Sequence, residues 1–239
     1  MLVRRLVLLL LLPCLLGAWT APSRAAERVD VLLVLAVDVS RSISDEKFEL
    51  ERRGYAAAFA NPQVLRAIRD GAEGRIGVAL VEWAGPGQQT VVVDWMPIAN
   101  AADAGAFAAK LLPAPRSFWG RTAVGSAIDF SRELLAKSPF EADRKVIDVS
   151  GDGTSNGGEA IRVARDAAVR SGITINGIVI LTDPAGLPEY LRDHTNPPGG
   201  LAGYYADNVV GGAGSFVMTA DSFETFGRAL VAKLIREIS

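Results

Sequence analysis

The sequence predicts an α/β fold: a doubly wound, mostly parallel six-stranded sheet with one antiparallel edge strand and helices on both faces. Three observations carry this. Apolar runs of strand length alternate with amphipathic segments of helix length, the rhythm of a parallel sheet with crossover helices. The run VDVLLVLAV, residues 29–37, is continuously apolar, as in a strand covered on both faces. The runs RIGVALVEW (75–83) and QQTVVVDW (88–95) are parted only by a short Gly/Pro turn. That gap is too short for a parallel crossover, so these two strands are antiparallel neighbours.

The elements follow in chain order. Val29–Val37 is the first strand. Ser44–Ala60 is a helix with Phe48, Tyr55 and Phe59 along one side, interrupted by Asn61-Pro62. The two antiparallel strands come next. Asn100–Leu112 is an Ala-rich helix, and Thr122–Lys137 is another, with Val124, Ile128, Ser131 and Leu135 in register. Lys145–Val149 is a strand. Glu159–Ser171 is a helix closed by Gly172. Thr174–Ile180 and Ser215–Thr219 are strands, and Ser222–Ile238 is a final helix with Phe223, Phe226, Leu230 and Leu234 inward. Residues 181–214, rich in Pro, Gly and Tyr, break the rhythm and read as an irregular insertion with a helical turn near Leu187–Asp193.

Residues 1–25 stand apart. Arg4 and Arg5 precede the apolar run Leu6–Leu16, and the small-x-small triplet Ser23-Arg24-Ala25 follows. This is the layout of a cleaved secretory signal peptide, with an apolar core too short to span a bilayer comfortably. The expected product is one domain, residues 26–239, in the periplasm of a Gram-negative cell, with no membrane span. Cleavage removes three arginines and no acids, so the net charge falls from −2 to −5. An acidic chain is a poor ligand for nucleic acid or anionic membrane. Cys14 leaves with the leader, so the mature chain relies on its core rather than on disulfides.

Two polar loops follow strands at their carboxyl ends, where open parallel sheets bind ligands. One is Asp38-Val39-Ser40-Arg41-Ser42 and the other is Ser150-Gly151-Asp152-Gly153-Thr154. Gly120-Arg121-Thr122, reached through PAPRSFWG, lies at the same end of the sheet. The reading converges two carboxylates (Asp38, Asp152) and three hydroxyls (Ser40, Ser42, Thr122) on one patch. These hard oxygen donors suit Mg2+ or Mn2+ ahead of Ca2+, held partly through water with one position left open.

Asp38-x-Ser40-x-Ser42 after a buried strand, the G-x-T-x-x-G-x-A-I run from Gly120 to Ile128 and a strand ending in Asp-Gly together resemble a von Willebrand factor A domain, over nearly the whole mature chain. More narrowly, DVSRSIS, VEWAG, VSGDGTSNGG and DNVVGGAGSFV resemble a bacterial secreted family of this fold without assigned function. The resemblance implies a metal-ion-dependent adhesion site (MIDAS). Ser40, Ser42 and Thr122 would ligate directly, and Asp38 and Asp152 directly or through water. An acidic residue of a partner protein would complete the shell, and the role is recognition rather than catalysis. Arg41 stands where the wider family often has Gly, and Gly151 where a Thr often precedes the second Asp. Arg41, Arg121 and Trp119 are the candidate partner contacts.

Blander and rival readings exist for the same residues. Ser42 with Asp45 forms a capping box, Ser44 caps a helix alone, and Thr122 is a possible N-cap. Asp152-Gly153 is a common turn pair. Asp148, Ser150, Asp152, Gly153 and Glu159 fall at EF-hand calcium-loop positions, although KVIDV is strand-like where that motif needs a helix. A phosphoester-processing or nucleotide-binding enzyme would use Asp38 and the Asp152 loop, but no Walker P-loop or G-x-S-x-G elbow is present. His194, without Cys or His companions, reads as a loop histidine. Phe118 and Trp119 belong either to the rim of the site or to the core.

Overall fold

The computed structural model describes residues 26–185 and 187–239. The leader reading, with Cys14, lies outside them. A six-stranded sheet forms, in spatial order β4-β3-β2-β6-β7-β8. Its strands are β2 (Val31–Asp38), β3 (Ile76–Trp83), β4 (Gln89–Ile98), β6 (Arg144–Gly151), β7 (Ile173–Ile180) and β8 (Val217–Ala220). All neighbours are parallel except β3 and β4, so β4 is the antiparallel edge. The short Gly/Pro turn after Trp83 enforces this, because it leaves no chain for a crossover. A separate two-stranded pairing joins β1 (Glu27–Arg28) to β5 (Phe140–Glu141).

Every residue of β2 is buried. Its side chains alternate between two cores, as strand geometry requires. Leu33, Leu35 and Val37 face a core shared with helices α1 (Asp45–Phe59), α2 (Pro62–Arg69), α3 (Ala101–Leu111) and α8 (Phe226–Ile238). Leu32, Val34 and Ala36 face the other, shared with α4 (Val124–Ala136), α5 (Ile161–Arg170) and α7 (Gly200–Asn208).

The elements depart from the sequence reading chiefly in two places. α2 starts directly after the Asn61-Pro62 interruption, with Asn61 Oδ1 accepting the Gln63 N–H at 2.8 Å and proline in its first turn. The interruption is thus a cap and a restart. Second, the insertion carries two helices rather than one turn, α6 (Glu189–Thr195) and α7, the latter anchored by buried Leu201 and Tyr205. The EF-hand alternative fails, as the strand-like KVIDV implied. Residues Arg144–Gly151 are strand, Asp148 points into the core against Lys233 (2.6 Å), and Glu159 is exposed. Period-2 geometry puts Asp148 on the same face as Ser150, but the chain turns before Asp152 and Glu159 can join it. Gly172 adopts φ +74° just past α5, the left-handed conformation that ends a helix.

Candidate metal centre

β2 delivers Asp38 to the carboxyl edge of the sheet, fully buried. The Ser40 backbone N–H donates to Asp38 Oδ1 at 2.7 Å, which turns the chain sharply and aims the next hydroxyls back at the site. Ser40 Oγ lies 3.2 Å from Ser42 Oγ, and Ser42 Oγ donates to Asp152 Oδ1 at 2.6 Å. Thr122 Oγ1 donates to Ser40 Oγ at 3.2 Å. All five expected oxygen donors therefore form one hydrogen-bonded cluster.

Ser44, not Ser42, caps α1, accepting the Lys47 N–H at 3.3 Å. Helix α4 begins at Val124 with no side-chain cap, so the Thr122 hydroxyl is free for Ser40.

Two loops hold the cluster from outside. Thr122 N–H donates to Asn156 Oδ1 at 2.9 Å, and Asn156 N–H donates to Thr122 O at 2.8 Å. This pins the α4 entrance to the loop after β6. Arg116 donates from Nη2 to the carbonyls of Val39 and Ser40, both at 2.7 Å, and from Nε to Phe118 O at 3.1 Å. Its guanidinium stacks 3.6 Å from the centre of the Trp119 ring. Trp119 is therefore a rim residue, 53% exposed, whereas Phe118 packs on the core. Arg41 and Arg121 are exposed and line a groove of about 430 Å³ with Ser42, Tyr190, Leu191 and His194.

The electrostatics are unbalanced. Burial and the neighbouring Asp152 push the Asp38 carboxyl up to about 8, against the pull of the Ser40 hydrogen bonds and Arg116. Its Oδ2 is buried without a hydrogen-bond partner among the described residues. Below it, Glu51 on α1 accepts from Ser150 Oγ at 2.7 Å, and its carboxyl is raised chiefly by burial. Besides Arg116, Lys47 brings a cation to the cluster, its Nζ 3.4 Å from Asp152 Oδ2 and from Thr182 Oγ1.

The cluster is roofed on one side. α6 lays His194 over it, with Nε2 3.4 Å from Thr122 Oγ1 and Nδ1 3.3 Å from Thr154 Oγ1. Burial lowers the His194 pKa, and Asp152 opposes the shift. Tyr205 of α7 closes another side. A Cβ at Gly151 would stand 2.4 Å from the Tyr205 hydroxyl oxygen and 3.2 Å from Asp38 Oδ2. This accounts for glycine where the resembled family often has threonine: the insertion has taken that space. Sequence reading missed His194, Lys47, Arg116, Asn156 and Tyr205 as site residues. Asn156 lies within VSGDGTSNGG and Arg116 within PAPRSFWG, but neither run singles them out, and His194, Lys47 and Tyr205 lie in no motif.

The sequence model of a family described as protein of unknown function (DUF1194) matches residues 28–239. No curated protein matches. Among solved structures, proximal thread matrix protein 1 from the mussel byssus aligns with TM-score 0.61 and 17% identity, covering 88% of this chain and 47% of that one. The same mussel protein solved with a zinc-occupied MIDAS motif aligns at TM-score 0.55 and 16% identity, covering 88% and 46%. A von Willebrand factor type A protein from Catenulispora acidiphila gives 0.52 and 16%, covering 88% and 43%. The open conformation of the pilus adhesin SpaC from Lactobacillus rhamnosus GG gives 0.54 and 16%, covering 90% and 30%. The chain thus spans less than half the length of each of these proteins. At such identities the likeness is one of fold, and the fold is von Willebrand factor A-like.

Proposed function

The chain belongs to the DUF1194 family, and from that premise we propose that it is a protein-binding module that holds a divalent cation at the Asp38 cluster and offers it to a carboxylate of a partner protein. The observation that carries this is Asp38 Oδ2, buried and unpartnered among the described residues, beside three converging hydroxyls. A buried carboxylate oxygen without a donor is costly, and a bound cation would relieve it where a proton otherwise must. The oxygen set fits a hard ion, Mg2+ or Mn2+. Ligands set at right angles about 2.1 Å from one ion stand about 3 Å apart. The Ser40–Ser42 and Ser40–Thr122 separations, both 3.2 Å, are of that size.

Ser40, Ser42 and Thr122 would hold the ion, with Asp38 and Asp152 supplying charge directly or through water. Bound there, the ion supplies an electrophilic position for a carboxylate. Arg41 and Arg121, exposed beside the groove, would add charge-assisted contacts to an acidic partner. Trp119 offers an exposed aromatic face at the rim. The role is recognition, not catalysis. The zinc-occupied MIDAS motif of the mussel protein and the adhesin SpaC, both on this fold, support the same reading. The leader reading of residues 1–25 puts the encounter in the periplasm. No helix among the described residues is long and apolar enough to cross a membrane.

The test is capture from envelope extract by wild type and Asp38→Ala, each with Mg2+ or with chelator. A specific acidic partner retained only by wild type with metal supports the reading. Equal capture by all four arms, or capture indifferent to chelator, overturns it.

A further inference from the structure

Within this metal reading, we propose that His194 is itself a ligand, supplied by the insertion, so that the ion is held by hydroxyl oxygens and one imidazole nitrogen and belongs to the borderline divalent class (Mn2+, Co2+, Ni2+, Zn2+) rather than being Mg2+.

Three independent features of the structure point this way. The first is spacing. His194 Nε2 stands 3.4 Å from Thr122 Oγ1, extending the string in which Thr122 and Ser40, then Ser40 and Ser42, are each 3.2 Å apart. Neighbouring ligands of one ion are separated by about 3 Å at metal–ligand distances of about 2.1 Å. His194 is therefore the next donor along a series already at coordination spacing.

The second is the other ring nitrogen. Nδ1 faces Thr154 Oγ1 at 3.3 Å, and the Thr154 backbone N–H donates to His194 O at 2.9 Å. Metal-bound histidines are oriented in this way, the free N–H donating to a fixed oxygen so that the opposite lone pair faces the ion. The end of α6 is fixed in turn: Thr195 Oγ1 donates to Leu191 O at 2.9 Å, and Asn196 Nδ2 donates to Thr182 O at 3.3 Å.

The third is room made for the ring. A Cβ at Gly153 would lie 2.1 Å from His194 Nε2. The residue after Asp152 has no side chain, and the imidazole occupies the space beside the acid. His194 is the chain's one histidine, and the fold places it here rather than on an exposed loop.

The chemical consequence follows from ligand preference. Hydroxyl and carboxylate donors alone discriminate little in favour of late first-row ions, whereas one imidazole tips a site along the Irving–Williams order. With three hydroxyls and His194 in place, two of six positions remain for water, the acids of the chain or a partner carboxylate.

The inference rests on the cluster around Asp38 being a metal site, so the experiment separates the two. Calorimetry on the untagged chain at one fixed pH measures Mg2+, Mn2+ and Ni2+ binding to wild type, His194→Ala, His194→Gln and Asp38→Ala. Wild type should bind Ni2+ at least about 10-fold tighter than Mg2+, and His194→Ala should lose about 10- to 100-fold for Ni2+ while keeping Mg2+ within about twofold. Pulsed electron paramagnetic resonance of the Mn2+ complex should show coupling to an imidazole nitrogen in wild type and none in His194→Ala. With one histidine in the chain, that signal has one source. Equal Ni2+ affinity in wild type and both His194 variants, or a nitrogen signal that survives His194→Ala, overturns the His194 assignment alone. No ion binding by wild type, or binding unaffected by Asp38→Ala, overturns the metal reading and this inference with it.

Discussion

Asp38 closes β2 with one carboxylate oxygen satisfied and the other not. This has a consequence for stability against pH. In the unfolded chain this carboxyl ionises near 3.8, whereas in the fold it keeps its proton up to about 8. Between those values the folded state binds the extra proton, so raising the pH favours unfolding. The metal-free protein should therefore melt at progressively lower temperature from pH 4 to pH 8. Asp38→Asn should flatten that slope in part, the remainder coming from Glu51, Asp148 and Glu237, whose carboxyls are also raised by burial. A saturating divalent ion should flatten it as well. Melting curves in buffers of constant ionic strength check this, and a metal-free protein that grows more stable toward pH 8 contradicts it.

Helix α1 does three jobs at the scale of an element. Its start is fixed by the Ser44 cap, its first turn sends Lys47 to Asp152, and its middle carries buried Glu51 under the site. It holds this place because it lies very close to α8. A Cβ on Gly54 would stand 2.7 Å from the ring of Phe226 and 3.5 Å from the Gly227 backbone. Phe226 is fully buried, and Tyr55 meets it edge-on at 5.4 Å, so the ring has nowhere to go. Overpacking of this kind costs about 1–3 kcal/mol, which outweighs the roughly 1 kcal/mol gained from better helix propensity. Gly54→Ala should be net destabilising in denaturant titration, with weaker metal response because α1 carries Lys47 and Glu51. A stabilised variant would refute the close-packing account.

For the whole molecule, the sheet buries a charged layer against α8. Lys233 lies between Asp148 on β6 and Glu237 one turn further along its own helix, and Asn176 on β7 donates to Glu237 Oε1 at 2.8 Å. Burial still raises both acids, Glu237 to about 7, although Lys233 pulls the other way. Removing the cation leaves two buried acids facing each other, and breaking a buried pair costs about 3–5 kcal/mol. Lys233→Met should lose stability of that order at pH 8 and less at pH 5, where the acids stay neutral. Equilibrium unfolding at the two pH values measures it, and an equal loss at both would mean that packing rather than charge is responsible.

The sequence by itself determined the von Willebrand factor A-like fold and which five oxygen-bearing side chains meet at the carboxyl end of the sheet. The reason is locality: buried strands, helix faces and the Asp38-x-Ser40-x-Ser42 spacing are written in neighbouring residues, and in a parallel sheet the loops after the strands share one end. Tertiary structure alone decided what surrounds those donors. His194 meets Thr122 from 72 residues away, Lys47 meets Asp152 across 105, and Arg116 meets Ser40 across 76. His194 and Lys47 arrive on helices whose own sequences show no pattern pointing at the site, and Arg116 arrives on the approach loop PAPRSFWG, where nothing singles it out. The roof over the cluster depends on how the 181–214 segment folds back, held by buried Leu201, Tyr205 and Thr195. Contacts of that kind come from packing in three dimensions and leave no periodic trace along the chain.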